Sequence, residues 1–275
     1  PNPEAKIVHI DIDPVKQDLP MWGFPVDVLI QADSSKALPV LNQIIQQRTT
    51  PEKQTLFQVN FRQLQSEHKK MRDEWYRVAM NKATYRPIAP EWLCHCISEI
   101  IDDETIVLEE AVTNFGMILR HIHRTKPGTF FSSGGSSLGW GLGAALGVKL
   151  ASPESTVVTL VGDGSFIYGQ PIPALWAANV YHAPFLTIIF NNKRYCALKS
   201  SLRMSYGGES YSEKTGVWVG VDIEPSPDYA LISQACDAHG QIVEDPSDLQ
   251  PAIINALKQV RQGKPAVLDV RIESP

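Results

Sequence analysis

Two short stretches hold residues that could bind a metal-linked anion. The apolar run STVVTLV leads into Gly162-Asp163-Gly164-Ser165, and the apolar run PFLTIIF leads into Asn191-Asn192. An Asp at a strand tip is a hard oxygen ligand, and flanking glycines let the backbone turn sharply and approach a ligand closely. Between the two tips lies a helical pattern, IPALWAANVYH, so the two strands are joined by one crossover and their tips are neighbours in space. The Asp carboxylate and an Asn amide oxygen can then share one ion. Mg²⁺ takes octahedral oxygen ligands, few of them from protein and the rest from water and phosphate. That combination suits a diphosphate anchored through a metal. A GDG alone after a strand reads as an ordinary turn; the pairing with NN carries the signal.

The elements that must position these tips follow a regular alternation. Strands are predicted at TIVLEE (105–110), TFFSS (129–133), STVVTLV (155–161), PFLTIIF (184–190), GQIVE (240–244) and AVLDVRI (266–272), with helical patterns between most of them. This predicts an α/β fold with a doubly wound, mostly parallel sheet covered by helices on both faces. Ligands on such sheets bind beyond the C-terminal strand ends, near a topological switch point. Ahead of this domain, KIVHIDI (6–12) and VDVLIQAD (26–33) read as strands, and Ser34 or Ser35 reads as the N-cap of SSKALPVLNQIIQQR. These define a partial α/β domain over residues 1–48, the tail of a domain whose beginning is missing. Residues 49–58 read as linker and 61–83 as a long polar surface helix with a thin apolar stripe. Residues 49–85 thus join the tail to a main domain over 86–275.

Bulk properties exclude several classes. The 275 residues carry a net charge of −5, which argues against a general nucleic-acid binder. No apolar run reaches the ~18 residues needed to span a bilayer. The opening PNPEAKIVHIDID has no signal-peptide pattern and no initiator Met, so it reads as a truncated or processed chain. A cytoplasmic location is expected, or an organelle if an import segment precedes. Four cysteines are too scattered for a disulfide framework. Cys94-His95-Cys96 resembles a metal cluster, but zinc sites space their cysteines wider. Within PEWLCHCISEII the two thiols read as small core hydrophobes of a helix.

GDGS followed one crossover later by NN resembles the thiamine-diphosphate enzyme superfamily, and the resemblance extends over nearly the whole chain. The acetolactate-synthase-like and benzoylformate-decarboxylase-like branches are most similar. AKIVHIDIDP is similar to the end of their central domain, and SSGGSSLGWGLGAALGVKLA to the segment opening their diphosphate domain. The resemblance implies that Asp163, Asn192 and the main-chain carbonyl of Arg194 ligate Mg²⁺, with Asn191 bracing the loop. It implies that Gly162 forms part of the cofactor loop, and that Gly164 and Ser165 offer donors to the diphosphate. Thr113 and Asn114 occupy the strand-to-helix turn that holds the terminal phosphate. A plain N-cap role for Thr113 predicts the same residue type. Leu138 matches the apolar wedge that imposes a V shape on the cofactor, with a core Leu at a helix start as the alternative. The main chain of Ser136 would face the pyrimidine. Leu198 and Ser201 match positions lining the substrate pocket.

The stretch between Asp163 and Trp176 is longer than in typical benzoylformate decarboxylases. Gly143 stands where relatives often have Pro, and Lys193-Arg194 replaces a commoner pair of small residues. These departures touch the substrate pocket and the subfamily, not the metal site. The resemblance implies thiamine diphosphate and Mg²⁺ as cofactors, 2-oxo acids as substrates, and a decarboxylation or acetolactate-type carboligation. It also implies a dimer or tetramer, or a partner bearing the pyrimidine domain. The Glu that activates the cofactor belongs to that pyrimidine domain and has no match in this chain, since Glu109 and Glu110 lie on the wrong domain. No catalytic residue is therefore assigned, and the chain is expected to be inactive alone. Two other readings remain open. Gly139-x-Gly141-x-x-Ala144, with Asp163 about twenty residues on, fits a loose dinucleotide-binding pattern of an oxidoreductase. A non-catalytic phosphate-binding module is the other.

Overall fold

The computed structural model describes residues 2–19, 23, 25–135 and 137–274. The chain divides into two compact units, Pro1–Lys69 and Lys70–Pro275. In the first, β1 (Val8–Asp11) pairs parallel with β2 (Val28–Gln31), and α1 (Ser34–Arg48) follows. The N-cap of α1 is Asp33 rather than Ser34 or Ser35. Its carboxylate accepts from the Ser35 N–H at 2.8 Å, the reach of an Asx side chain to the backbone two residues on. The stretch read as linker at 49–58 is also corrected. Helix α2 (Pro51–Asn81) begins at Pro51, because proline at a first helical position lacks only an N–H that would have no partner there.

The second unit holds the elements that bear the site. They are α3 (Pro90–Ile100), β3 (Ile106–Glu110), α4 (Phe115–His121), β4 (Phe130–Ser132), α5 (Trp140–Ala151), β5 (Val157–Gly162), α6 (Asp163–Tyr168), α7 (Pro171–Val180) and β6 (Leu186–Asn191). After these come α8 (Cys196–Tyr206), α9 (Tyr211–Thr215), α10 (Tyr229–Gln234), β7 (His239–Val243), α11 (Leu249–Arg261) and β8 (Ala266–Arg271). Each strand predicted from an apolar run is present. All six pair parallel in the order β4-β3-β5-β6-β8-β7.

Strand alternation sends side chains to two cores. Val158 and Leu160 join Leu93, Ile97, Ile118 and Ile253 under α3, α4 and α11. Val157 and Val161 join Leu142, Leu175, Phe166 and Tyr229 under α5, α7 and α10. Both faces are thus covered, as the near-continuous apolar runs require. Cys94 and Cys96 are fully buried in the first of these cores, which is the hydrophobe role predicted for them. No helix among the described residues is long and apolar enough to cross a membrane.

Candidate functional site

The strand order fixes where a ligand can enter. From β3 the chain moves to β4 on one side and then returns to place β5 on the other, so the order reverses between β3 and β5. The crevice beyond the C-terminal ends at such a reversal is where open α/β sheets bind ligands. A cleft of about 730 Å³ lies there. Thr113, Asn114, Leu138, Gly162, Asp163, Gly164, Ser165, Asn192, Arg194, Leu198 and Ser201 all line it. Ser136, whose main chain was expected at the pyrimidine, lies outside the described residues.

Asp163 opens α6 directly after β5 and is 2% exposed. Its Oδ1 accepts from the Gly164 N–H at 3.0 Å, while its buried Oδ2 has no hydrogen-bond partner among the described residues. Burial pushes this carboxyl up to about 6, against the pull of backbone N–H groups of Gly164, Lys193 and Arg194. Those last two belong to the turn after β6, so the two strand tips do converge. An anionic oxygen buried without a partner is costly; a cation beside it removes that cost.

The two glycines differ. A Cβ on Gly164 would lie 2.3 Å from Tyr195 Cε1, whereas one on Gly162 would meet only Ser165 Oγ at 3.9 Å. The close approach predicted for the motif therefore belongs to Gly164. Ser165 is buried, and its hydroxyl donates to the Glu110 carbonyl at 3.1 Å. That bond ties α6 to β3, leaving the Ser165 oxygen as an acceptor.

Asn191 and Asn192 divide their work. Asn191 is 1% exposed and does not line the cleft; its Nδ2 donates to Asp269 Oδ1 at 2.8 Å and its Oδ1 accepts from the Lys193 N–H at 3.1 Å. Asn192 is half-buried, and its Oδ1 accepts from the Arg194 N–H at 2.9 Å, an Asx turn that points the amide oxygen along the loop. Arg194 is held by an antiparallel bridge to Asp222 and by an ion pair of 2.8 Å from its Nε to Asp222 Oδ1.

After β3, a 3₁₀ turn over Val112–Asn114 precedes α4. Thr113 is exposed to the cleft and Asn114 is buried. The N-cap position of α4 is Asn114, with no side-chain bond, so Thr113 does not act as its cap. Leu138 is half-buried just before α5, outside both cores. That is the placement of a cleft wall rather than of a core Leu. Leu198 and Ser201 are exposed on α8.

Sequence reasoning missed the use of two acids. Glu110, 3% exposed, accepts from the N–H groups of Gly139, Trp140 and Gly141 at 2.5, 2.9 and 2.7 Å. The amino end of α5 is therefore filled by the protein's own carboxylate. A dinucleotide pyrophosphate needs that same helix end, and the glycine pattern there is preceded by a loop rather than a strand, so the dinucleotide reading is not favoured. Glu109 is buried, takes the Ser132 hydroxyl on Oε2 at 3.1 Å, and is pushed upward by burial. Two adjacent acids ending an apolar strand were the available signal. Tyr195, which packs on Gly164, carried none.

Comparison with known proteins agrees with this geometry. Residues 111–270 match the model of the thiamine pyrophosphate enzyme C-terminal TPP-binding domain. The chain is 27% identical over 252 residues to the large subunit of acetolactate synthase isozyme 2 from Escherichia coli K12, covering 91% of this chain and 41% of that protein. It is 34% identical over 113 residues to benzoylformate decarboxylase from Pseudomonas aeruginosa, covering 41% of this chain and 21% of that one. Among solved structures, the thiamine diphosphate-dependent 4-hydroxybenzoylformate decarboxylase of Rhodococcus jostii RHA1 matches with a TM-score of 0.60 at 28% identity. The match covers 70% of this chain and 34% of that one. The chain thus spans less than half the length of the acetolactate synthases it matches.

Proposed function

The chain belongs to the thiamine pyrophosphate enzymes, through their C-terminal TPP-binding domain, and from that premise we propose that it holds the diphosphate and Mg²⁺ of the cofactor for chemistry on 2-oxo acids. The observation that carries this reading is the buried Oδ2 of Asp163, without a hydrogen-bond partner among the described residues, at the switch-point cleft beside the turn after β6. The donor set fits the group: a carboxylate, an amide oxygen from Asn192 and a carbonyl from Arg194 are all hard oxygen donors suited to Mg²⁺. Thr113 and Asn114 flank them for the phosphates, while the Ser165 hydroxyl and Gly164 N–H expected to donate there are already given to the Glu110 carbonyl and Asp163 Oδ1, and Leu138 walls the cleft where the cofactor's rings would bend. Bound thiamine diphosphate supplies the electron sink for cleaving or joining bonds at a 2-oxo carbon.

The protein's own part is to anchor, orient and exclude water. Asp163 and Asn192 hold the metal, Leu138 sets the bend, and Leu198 and Ser201 border the substrate. Relatives that are acetolactate synthases and benzoylformate decarboxylases support either a carboligation or a decarboxylation. The activating Glu would come from a pyrimidine-binding segment beyond residues 1–275 or from a partner subunit, in a dimer or tetramer.

Calorimetric titration with thiamine diphosphate and Mg²⁺ tests the reading. Binding is expected only with the metal present, and Asp163→Ala and Asn192→Ala are each expected to abolish it. Tight binding that ignores both substitutions would refute the site.

A further inference from the structure

Asp269 lies in the interior of β8 and is 0% exposed. A carboxylate there demands partners, and among the described residues it has two. Asn191 Nδ2 donates to its Oδ1 at 2.8 Å. Arg271 Nη2 lies 2.9 Å from its Oδ2, without the alignment of a hydrogen bond, so that contact is coulombic. Strand alternation puts Asp269 and Arg271 on one face of β8, and β8 pairs with β6, whose last residue is Asn191. Asn191 in turn receives the Lys193 N–H on its Oδ1.

Lys193 is the residue this chain of contacts ends on, and its backbone is unusual. Its φ is +57°, the left-handed region that a residue with a Cβ rarely adopts and keeps only when its surroundings over-determine it. Its N–H is held by Asn191, and its carbonyl accepts from the Ile223 N–H at 2.8 Å. Lys193 stands between Asn192 and Arg194. The left-handed turn at Lys193 therefore sets where the Asn192 amide oxygen and the Arg194 carbonyl can meet a cation.

We propose that Asp269 is a positioning residue for the metal loop: by fixing the Asn191 side chain it holds the left-handed turn at Lys193, and through it the Asn192 and Arg194 oxygens. This rests on the reading that those two oxygens ligate Mg²⁺. Asp269 touches neither cation nor cofactor. It orients the residue that shapes the loop, as outer-shell groups do for metal ligands.

The test measures the Mg²⁺ concentration that half-saturates thiamine diphosphate binding, by calorimetry on the intact protein, with the thermal midpoint recorded alongside. Asp269→Ala is expected to raise that concentration roughly 10- to 100-fold, the range seen when outer-shell partners are removed. Asp269→Asn keeps an oxygen for Asn191 Nδ2 and is expected to restore the requirement to within about threefold of the unaltered protein, well below that range. Should the Ala variant fail to fold, Asp269→Val combined with Arg271→Leu removes both members of the buried pair, a change such pairs usually tolerate. It still removes the 2.8 Å Asp269 acceptor of Asn191 Nδ2 and leaves only the longer contact to Ser226 Oγ at 3.5 Å, so the same rise is expected. A wild-type Mg²⁺ requirement in a folded Ala or double variant overturns the inference, as does an Asn variant as impaired as Ala. If the unaltered protein shows no Mg²⁺-dependent binding, the reading beneath the inference fails, and the inference with it.

Discussion

Two carboxylates stand at the ends of paired strands in one sheet, and they are finished differently. Glu110 closes β3 and receives three backbone N–H groups from the start of α5. Asp163 follows β5, receives one N–H on Oδ1, and leaves Oδ2 buried without a partner among the described residues. Both are nearly inaccessible, so burial does not tell them apart. Satisfaction does. The first carboxylate completes a structure that needs nothing further; the second keeps an oxygen open, which under the proposed function a cation would fill.

The largest expected effect tests the incomplete carboxylate. Asp163→Asn should weaken Mg²⁺-dependent binding of thiamine diphosphate by at least ~100-fold, since a direct ligand matters more than an outer-shell one. The thermal midpoint of the ligand-free protein should hold or rise, because a partnerless buried charge is removed. A clear fall in that midpoint would break the comparison.

Glu110→Ala should behave in the opposite sense. It strands three N–H groups that now share one carboxylate, and should cost roughly 3 kcal/mol in urea unfolding. If the midpoint is unchanged while cofactor affinity collapses, Glu110 belongs to the site and the distinction fails.

A third test asks whether burial of an ionisable group elsewhere also leaves a mark. His121 on α4 is buried, and burial, with a lesser push from His95, lowers it to about 4 from 6.5. A base whose folded value is depressed gives stability that is fully present above the unfolded value and lost as pH falls through the window from 6.5 toward 4. Unfolding free energy should drop by ~2 kcal/mol between pH 7 and pH 5 from this group. His121→Leu should flatten that slope in denaturant titrations at the two pH values.

The smallest effect separates the two motif glycines. Gly164→Ala forces its Cβ onto the Tyr195 ring and should cost ~1–2 kcal/mol, as overpacking does. Gly162→Ala would place its Cβ at an ordinary contact distance from Ser165 Oγ and should stay within about 0.5 kcal/mol. Adding Tyr195→Ala to Gly164→Ala should recover part of the loss, read as a double-mutant cycle in chemical denaturation.

Much of the fold was legible because its signals are local. STVVTLV and PFLTIIF read as strands of a sheet covered on both faces, and both are. Where local cues competed, reading along the chain went astray. Residues 49–58 read as linker although Pro51 starts a helix, and Ser34 and Ser35 read as caps although Asp33, one step earlier, reaches the N–H first. Asp269 left a visible trace, an acid inside an apolar strand, but its partner lies at position 191, far away in sequence.

By itself the sequence determined the strand-helix alternation, the pairing of Gly162-Asp163-Gly164 with Asn191-Asn192, and through these the family. Side-chain periodicity and short motifs act over a few residues and need no distant partner to be read. Only the tertiary structure decided which polar groups are satisfied. It showed that Glu110 fills the start of α5, that Asp163 keeps an open oxygen, and that Asp269 stands behind Asn191. Satisfaction depends on groups brought together across the sheet by its order β4-β3-β5-β6-β8-β7, and no spacing along the chain encodes that meeting directly.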